Sequence, residues 1–379
     1  MSEFSRRDFS RVVAQSLALA ASAPYLRAAQ GSRHDEPAPP GAVHLNFNEN
    51  PYGPSPSALA ALATCGHIAA RYPDGPYQAL REALAEMHGV KPDNIALGCG
   101  STEILCIADE AFLGPKKNLV VAEPTFEAVI EYVQAAHGEV VKVPLTADHR
   151  HDLPRMAAAC APNTGMVYVC NPNNPTGTIV SRDELAAFVN RVPPSTLILV
   201  DEAYFHFAQA TDYGTAVDLL AEHPNLIVSR TFSKVYGMAG MRLGYAVGGK
   251  DVIEAMRPYN LQPFNGNAAV LAASQASLSD QGHVAECAKK MNATRGWLCG
   301  QLASQGRSFI PSEANFVMIN VGADVQPLIE QFRARKILVG RKFPSMPNFL
   351  RVSIGTQAET EQFLAALVEV VPAERPRAA

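Results

Sequence analysis

The stretch Arg230-Thr231-Phe232-Ser233-Lys234-Val235-Tyr236-Gly237-Met238-Ala239-Gly240-Met241-Arg242 places one lysine, two hydroxyls and an arginine in a turn punctuated by glycine. The apolar run Leu226-Ile227-Val228 ahead of it reads as a buried strand. Lys234 therefore falls just past a strand end, the position at which open α/β sheets bind ligands. A lysine taken alone is usually a solvated surface charge. Three other stretches single this one out.

Asn171-Pro172-Asn173-Asn174-Pro175-Thr176-Gly177 follows the apolar strand Met166 to Cys170, and its prolines and glycine impose an irregular turn. Leu197-Ile198-Leu199-Val200-Asp201-Glu202-Ala203-Tyr204 is a second buried strand, and it runs straight into a carboxylate with a phenol three residues on. An acid in that position is costly to bury unless a cation pairs with it. Gly98-Cys99-Gly100-Ser101-Thr102-Glu103 joins the strand Ile95-Ala96-Leu97 to a helical pattern, so free backbone N–H groups and hydroxyls converge on one spot.

In this order, the four stretches resemble the fold-type I pyridoxal-phosphate aminotransferases of class I/II, most nearly the histidinol-phosphate aminotransferase family. The resemblance runs from about Leu45 to the C-terminal helix. It takes in Leu45-Asn46-Phe47-Asn48-Glu49-Asn50-Pro51-Tyr52-Gly53-Pro54, Arg71-Tyr72-Pro73-Asp74-Gly75 and Leu350-Arg351-Val352-Ser353-Ile354-Gly355-Thr356. It implies pyridoxal 5'-phosphate as cofactor and transfer of an amino group between an amino acid, or histidinol phosphate, and a 2-oxo acid. Racemisation, elimination or oxidation on the same scaffold is the alternative, because the carbanion is common to all of them.

The resemblance also implies a role for each matched residue. Lys234 holds the cofactor aldehyde as a Schiff base and later shuttles a proton. Asp201 keeps the pyridine nitrogen protonated, while Tyr204 and Asn174 bond the ring's phenolic oxygen. Thr231, Ser233 and Arg242 hold the phosphate together with the N–H groups of Gly100, Ser101 and Thr102. Phe126 stacks on the ring, and Tyr72 reaches the phosphate of a neighbouring subunit. Arg351 forks onto the substrate carboxylate, and Asn50 and Tyr52 complete the expected substrate contacts. Arg341 has two readings, an anion contact or a surface charge. His206 likewise reads as a substrate contact or as a histidine at the rim of the cleft.

Strand patterns near residues 95 to 98, 118 to 122, 139 to 143, 166 to 170, 197 to 201, 226 to 230 and 243 to 247 alternate with helical ones. This predicts a mostly parallel seven-stranded sheet flanked by helices, with a smaller α+β C-terminal domain. The expected division is a signal peptide over 1–30, a linker and N-terminal arm over 31–74, a large cofactor domain over 75–265 and a small domain over 266–379. The arm is expected to be extended from Leu45 to Asp74, because prolines and aromatics alternate there without a helical period. Helices are expected over Gln78 to His88, Gly266 to Ser279, Val284 to Ser304 and Glu359 to Val371.

A chain of 379 residues that is 47% hydrophobic buries a large core, and its net charge of -4 gives no reason to expect a nucleic-acid partner. Ser5-Arg6-Arg7-Asp8-Phe9 matches the twin-arginine export pattern, and the alanine-rich Val12 to Tyr25 behind it is too short to span a bilayer. The expected location is therefore the periplasm, with no stable membrane anchor. The seven cysteines have neither zinc nor CxxC spacing, so no metal is expected and most read as small core residues. A homodimer is expected from the arm and Tyr72, with small-molecule substrates as the other partners.

Overall fold

The computed structural model describes residues 37–114, 116–260 and 266–371. The expected signal peptide, most of the linker and the C-terminal tail lie outside the described residues. Strand β1 (Val43–Leu45) is followed by helices α1 (Pro56–Thr64) and α2 (Asp74–His88), strand β2 (Ile95–Gly98) and helix α3 (Ser101–Phe112). Next come β3 (Asn118–Glu123), α4 (Ala128–Ala135), β4 (Glu139–Pro144), α5 (Leu153–Ala159), β5 (Thr164–Cys170) and α6 (Arg182–Val189). The sheet is completed by β6 (Leu197–Asp201), β7 (Leu226–Thr231) and β8 (Gly244–Gly248). The C-terminal part holds α7 (Lys250–Met256), α8 (Ala268–Ser279), α9 (Gln281–Ser304), β9 (Phe309–Ile310), β10 (Phe316–Asn320), α10 (Gln326–Ala334), β11 (Ile337–Val339), β12 (Phe349–Ser353) and α11 (Gln357–Val370).

The central sheet has seven strands in the order β2-β8-β7-β6-β5-β3-β4. Strands β3 to β7 pair in parallel, and β8 runs against both of its neighbours, β2 and β7. The apolar runs of β5, β6 and β7 are buried throughout because helices cover both faces. Leu119, Val121, Met166, Tyr168, Leu197 and Leu199 pack on one side with Ile104, Leu105 and Val129. Their alternate neighbours Val120, Ala122, Val167, Val169, Ile198 and Val200 pack on the other side with Met156, Leu185 and Phe188. With all strands of this parallel set ending at one edge, the turns after β3, β5, β6 and β7 open into one cleft.

The second layer is a three-stranded antiparallel sheet, β12-β10-β9. Strand β1 joins this part of the chain, pairing in parallel with β11 so that Leu45 stands opposite Val339. From there the segment 46–54 crosses to the catalytic edge of the large sheet. Gly237 (φ +69°) has no room for a side chain, since a Cβ there would stand 2.1 Å from the carbonyl oxygen of Gly53.

The arm differs from its expectation of extended chain. Ser55 accepts from the N–H of Ala58, Pro56 occupies the first turn, and an alanine-rich helix, α1, follows. Likewise α2 begins at Asp74 rather than Gln78. The start signal at Ser55-Pro56 was legible, but proline on both sides of it masked the helical period that follows. The cysteines also differ: only Cys170 and Cys287 are fully buried, Cys99 is exposed, and all seven are unpaired.

Replacing Gly237 by Ala is expected to cost about 2 kcal/mol or more, because the new methyl meets backbone and the φ angle is left-handed. Calorimetry should show the melting temperature lowered by several degrees. An unchanged transition would mean that the arm and the catalytic turn do not touch in this way.

Candidate active site

The turns converge on a cleft of about 450 Å³. Its floor is the buried end of β6, its near wall the turn after β7, its far wall the C-terminal sheet, and its roof the arm segment 46–49. Lys234, Asp201, Tyr204, Asn174, Ser101, Thr102, Phe126, Thr231, Ser233, Arg242, Arg341 and Arg351 all line it.

Asp201 closes β6 and is almost fully buried. Its carboxylate accepts from Tyr168 Oη at 2.9 Å and from the N–H of Ala203 at 3.2 Å, and among the described residues it forms no ion pair. Burial pushes it up to about 6 against the pull of those two donors. The next residue, Glu202, is satisfied in a different way. It is held by both arms of Arg230, by Thr215 and by the N–H of Ala216, on the side away from the cleft. Of two adjacent buried acids, only Asp201 is left for a ligand.

Lys234 Nζ donates to the carbonyl of Phe47 at 3.0 Å and stands 5.7 Å from the centre of the Tyr204 ring. Burial, then the charges of Arg351 and Arg242, lower its amine to about 8, with Glu49 and Asp201 opposing. Tyr204 accepts from Asn48 Nδ2 at 3.0 Å and meets Phe316 edge-on, and burial pushes its phenol up.

Around Arg242 lies a cradle of donors. Arg242 Nη1 reaches Ser233 Oγ at 3.4 Å, and Thr231 Oγ1 reaches the same hydroxyl at 3.0 Å. The first turn of α3 presents Ser101 and Thr102 to the same corner. Gly100 (φ +77°) lets the guanidinium lie against that turn, since a Cβ there would stand 2.4 Å from Arg242 Nη2. The combination of helix N-terminus, hydroxyls and arginine suits a phosphate.

Arg351, on β12, is only 8% exposed. It donates to Asn174 Oδ1 and to the carbonyl of Asn46, each at 2.8 Å, while its Nε has no partner. Burial, partly offset by Tyr204, lowers it to about 10. Because an arginine only donates, its bond fixes the carbonyl side of the Asn174 amide on Arg351 and turns the N–H₂ side elsewhere. Asn174 is thus spent in part on orienting Arg351, a duty the sequence did not show.

Several expected contacts fall elsewhere. Asn50 does not line the cleft: its amide donates to Val235 O at 2.7 Å and its oxygen accepts from the N–H of Tyr52. The Tyr52 ring centre lies 5.2 Å from the ammonium of Lys290, on α9. Asn50 ties the arm to the back of the catalytic turn and Tyr52 packs toward α9, so neither lines the cleft. His206 is also turned away from the cleft, edge-on to Tyr236 and Phe205, and burial followed by Arg230 lowers it to about 3. Tyr72 is 76% exposed and lies outside the cleft of its own chain. Conversely, Phe47, Asn48, Thr125, Glu127 and Phe343 line the cleft without having been singled out. Phe47 and Asn48 were inside the quoted arm motif, whereas the side chains at 127 and 343 carried no signal.

A buried amine, a cation-seeking carboxylate and a phosphate cradle define a pyridoxal-phosphate transferase on this fold. A family model for aminotransferase class I and II matches residues 40–367. The histidinol-phosphate aminotransferase of Moorella thermoacetica is 40% identical over 87% of this chain and 85% of that one. Histidinol-phosphate aminotransferase 2 of Pseudomonas fluorescens is 40% identical over 87% and 89%. The crystal structure of the Sinorhizobium meliloti histidinol-phosphate aminotransferase in complex with pyridoxal-5'-phosphate superposes with a TM-score of 0.81 at 30% identity, covering 87% of this chain and 91% of that one. The chain belongs to the class I and II aminotransferases. It is a pyridoxal-phosphate-dependent aminotransferase of the fold-type I architecture.

Loading of the apoprotein with pyridoxal phosphate requires the neutral amine of Lys234, so its rate is expected to rise with pH through a midpoint of about 8. Stopped-flow absorbance at a series of pH values reads this directly. A midpoint above 10, the ordinary lysine range, would remove the argument from burial.

Proposed function

We propose that the donor is held by an anionic group on Arg351, and that Lys234, Asp201, Tyr204, Asn174 and the Arg242 cradle run its transamination against a 2-oxo acid. The observation that carries this is Arg351, a buried guanidinium that lines the cleft and is oriented by Asn174 and Asn46. When bound, pyridoxal phosphate supplies the aldehyde that takes the amine and the ring that draws electrons from the substrate carbon. Asp201 would hold the proton on the ring nitrogen, which would also supply the cation its burial calls for. The free amine of Lys234, in a position roofed by Phe47, would move the proton at the substrate carbon. Tyr204 and the amide N–H₂ of Asn174 would donate to the ring's phenolic oxygen.

The relatives are named for histidinol phosphate, which offers a phosphate in place of a carboxylate. A free amino acid offers the carboxylate. An absorbance scan of the holoenzyme, offering histidinol phosphate and then a panel of amino acids, should show conversion of the cofactor with a donor bearing such an anion. Changing Arg351 to Lys should raise KM for that donor roughly tenfold or more, because the planar fork is lost. Unchanged KM would discard Arg351 as the anion contact.

The twin-arginine motif at Ser5 to Phe9 supports export to the periplasm as a folded, cofactor-loaded protein. Among the described residues no helix is long and apolar enough to cross a membrane. The exposed Tyr72, beside the surface at 266–269, supports an isologous homodimer in which it serves the partner's cradle. Fractionation of cells making the full chain should recover activity in the periplasm as a dimer by light scattering. An Arg6→Lys/Arg7→Lys variant should stay in the cytosol. Export of that variant, or a fully active monomer, would refute the corresponding half of this reading.

A further inference from the structure

Glu127 follows Phe126 on the wall carried by the large sheet, at the start of α4. It stands at the cap position, yet its side chain makes no capping bond. Instead it crosses the cleft and pairs with Arg341 Nη2. Arg341 follows β11 on the opposite wall, and its guanidinium lies 4.3 Å from the centre of the Phe343 ring. That ring also meets Arg351, at 5.2 Å on its own guanidinium distance. Both members of the ion pair line the cleft and are about a third exposed.

We propose that Glu127 is a specificity-determining residue, an internal anion that occupies Arg341 and so discriminates against substrates with an anionic side-chain end. This rests on the aminotransferase reading of the cleft. A neutral side chain leaves the pair intact and enters beside Phe343 and Phe47. A side chain ending in carboxylate must displace Glu127 to reach Arg341. The displaced Glu127 then faces Glu131, one helical turn on, whose carboxyl is already raised by burial and by Glu127. Arg351, the other cation at this end, is oriented by Asn174 and Asn46 and is taken up by the donor's own anion in the reading above. The remaining nearby cation, Lys342, pairs with Asp324 outside the cleft. No spare charge within the cleft end therefore compensates the exchange, and Glu127 sets its cost.

The test compares two ligands of one shape and different charge, glutarate and its monoamide glutaramate, binding to the holoenzyme by calorimetry. Neither carries an amino group, so the result is independent of turnover. A holoenzyme that fails on every amino donor can still show the charge preference, which separates failure of the donor assignment from failure of this one. The wild-type protein should bind the two within about threefold of each other, and Glu127→Gln should favour glutarate by about tenfold. Glu127→Gln/Arg341→Met should lose that preference, and circular dichroism should show both variants folded. An unchanged ratio in Glu127→Gln, a preference that survives loss of Arg341, or no measurable glutarate binding by either protein would overturn the proposal.

Discussion

The active end of this protein depends on one constraint: a carboxylate at the tip of a fully buried strand that the protein itself does not neutralise. Asp201 and Glu202 are neighbours at the end of β6, and strand alternation sends them to opposite sides. Glu202 receives an arginine, a threonine and a backbone N–H. Asp201 receives a phenol and a backbone N–H, and burial leaves it disposed to keep a proton. A ligand bearing an acidic N–H⁺ is the natural complement. The lysine, the cradle and the roof are arranged around that point, and the fold brings them there because parallel strands end at a common edge.

Much of this was legible in the chain. The strands of the central sheet announce themselves as uninterrupted apolar runs ending in polar turns, and such runs must be buried on both faces. The local motifs therefore named Lys234, Asp201, Asn174 and Arg242 together. The order of strands, with β8 reversed between β2 and β7, left no local mark. Neither did the partners of the charged side chains. Arg341 had two readings because its counter-ion lies 214 residues away, and no spacing rule reaches that far. Asn50 and Tyr52 sat inside a motif that does face the cleft in part, but the Asn50 side chain bonds the back of the catalytic loop and the Tyr52 ring packs at Lys290 on α9.

The cleft is consequently made from walls of different character. The wall from the large sheet is fixed by packing on both faces of the strands and carries the chemistry. The C-terminal wall carries Arg351, Phe343 and Arg341, and its contacts with the first include the Glu127–Arg341 ion pair, the Arg351–Asn174 bond and the Tyr204–Phe316 ring contact. Changes of substrate can therefore accumulate on the C-terminal wall without disturbing the groups that act on the cofactor.

The pairing of β1 with β11 joins residues 43–45 to residues 337–339. Because the roof over Lys234 hangs from that pairing, the cleft has no roof until the ribosome has made nearly the whole chain. A product truncated before β11 would lose that anchor of the roof and leave the Lys234 end of the cleft more open to water. The roof is thus finished only when residues far apart in the chain have both been made.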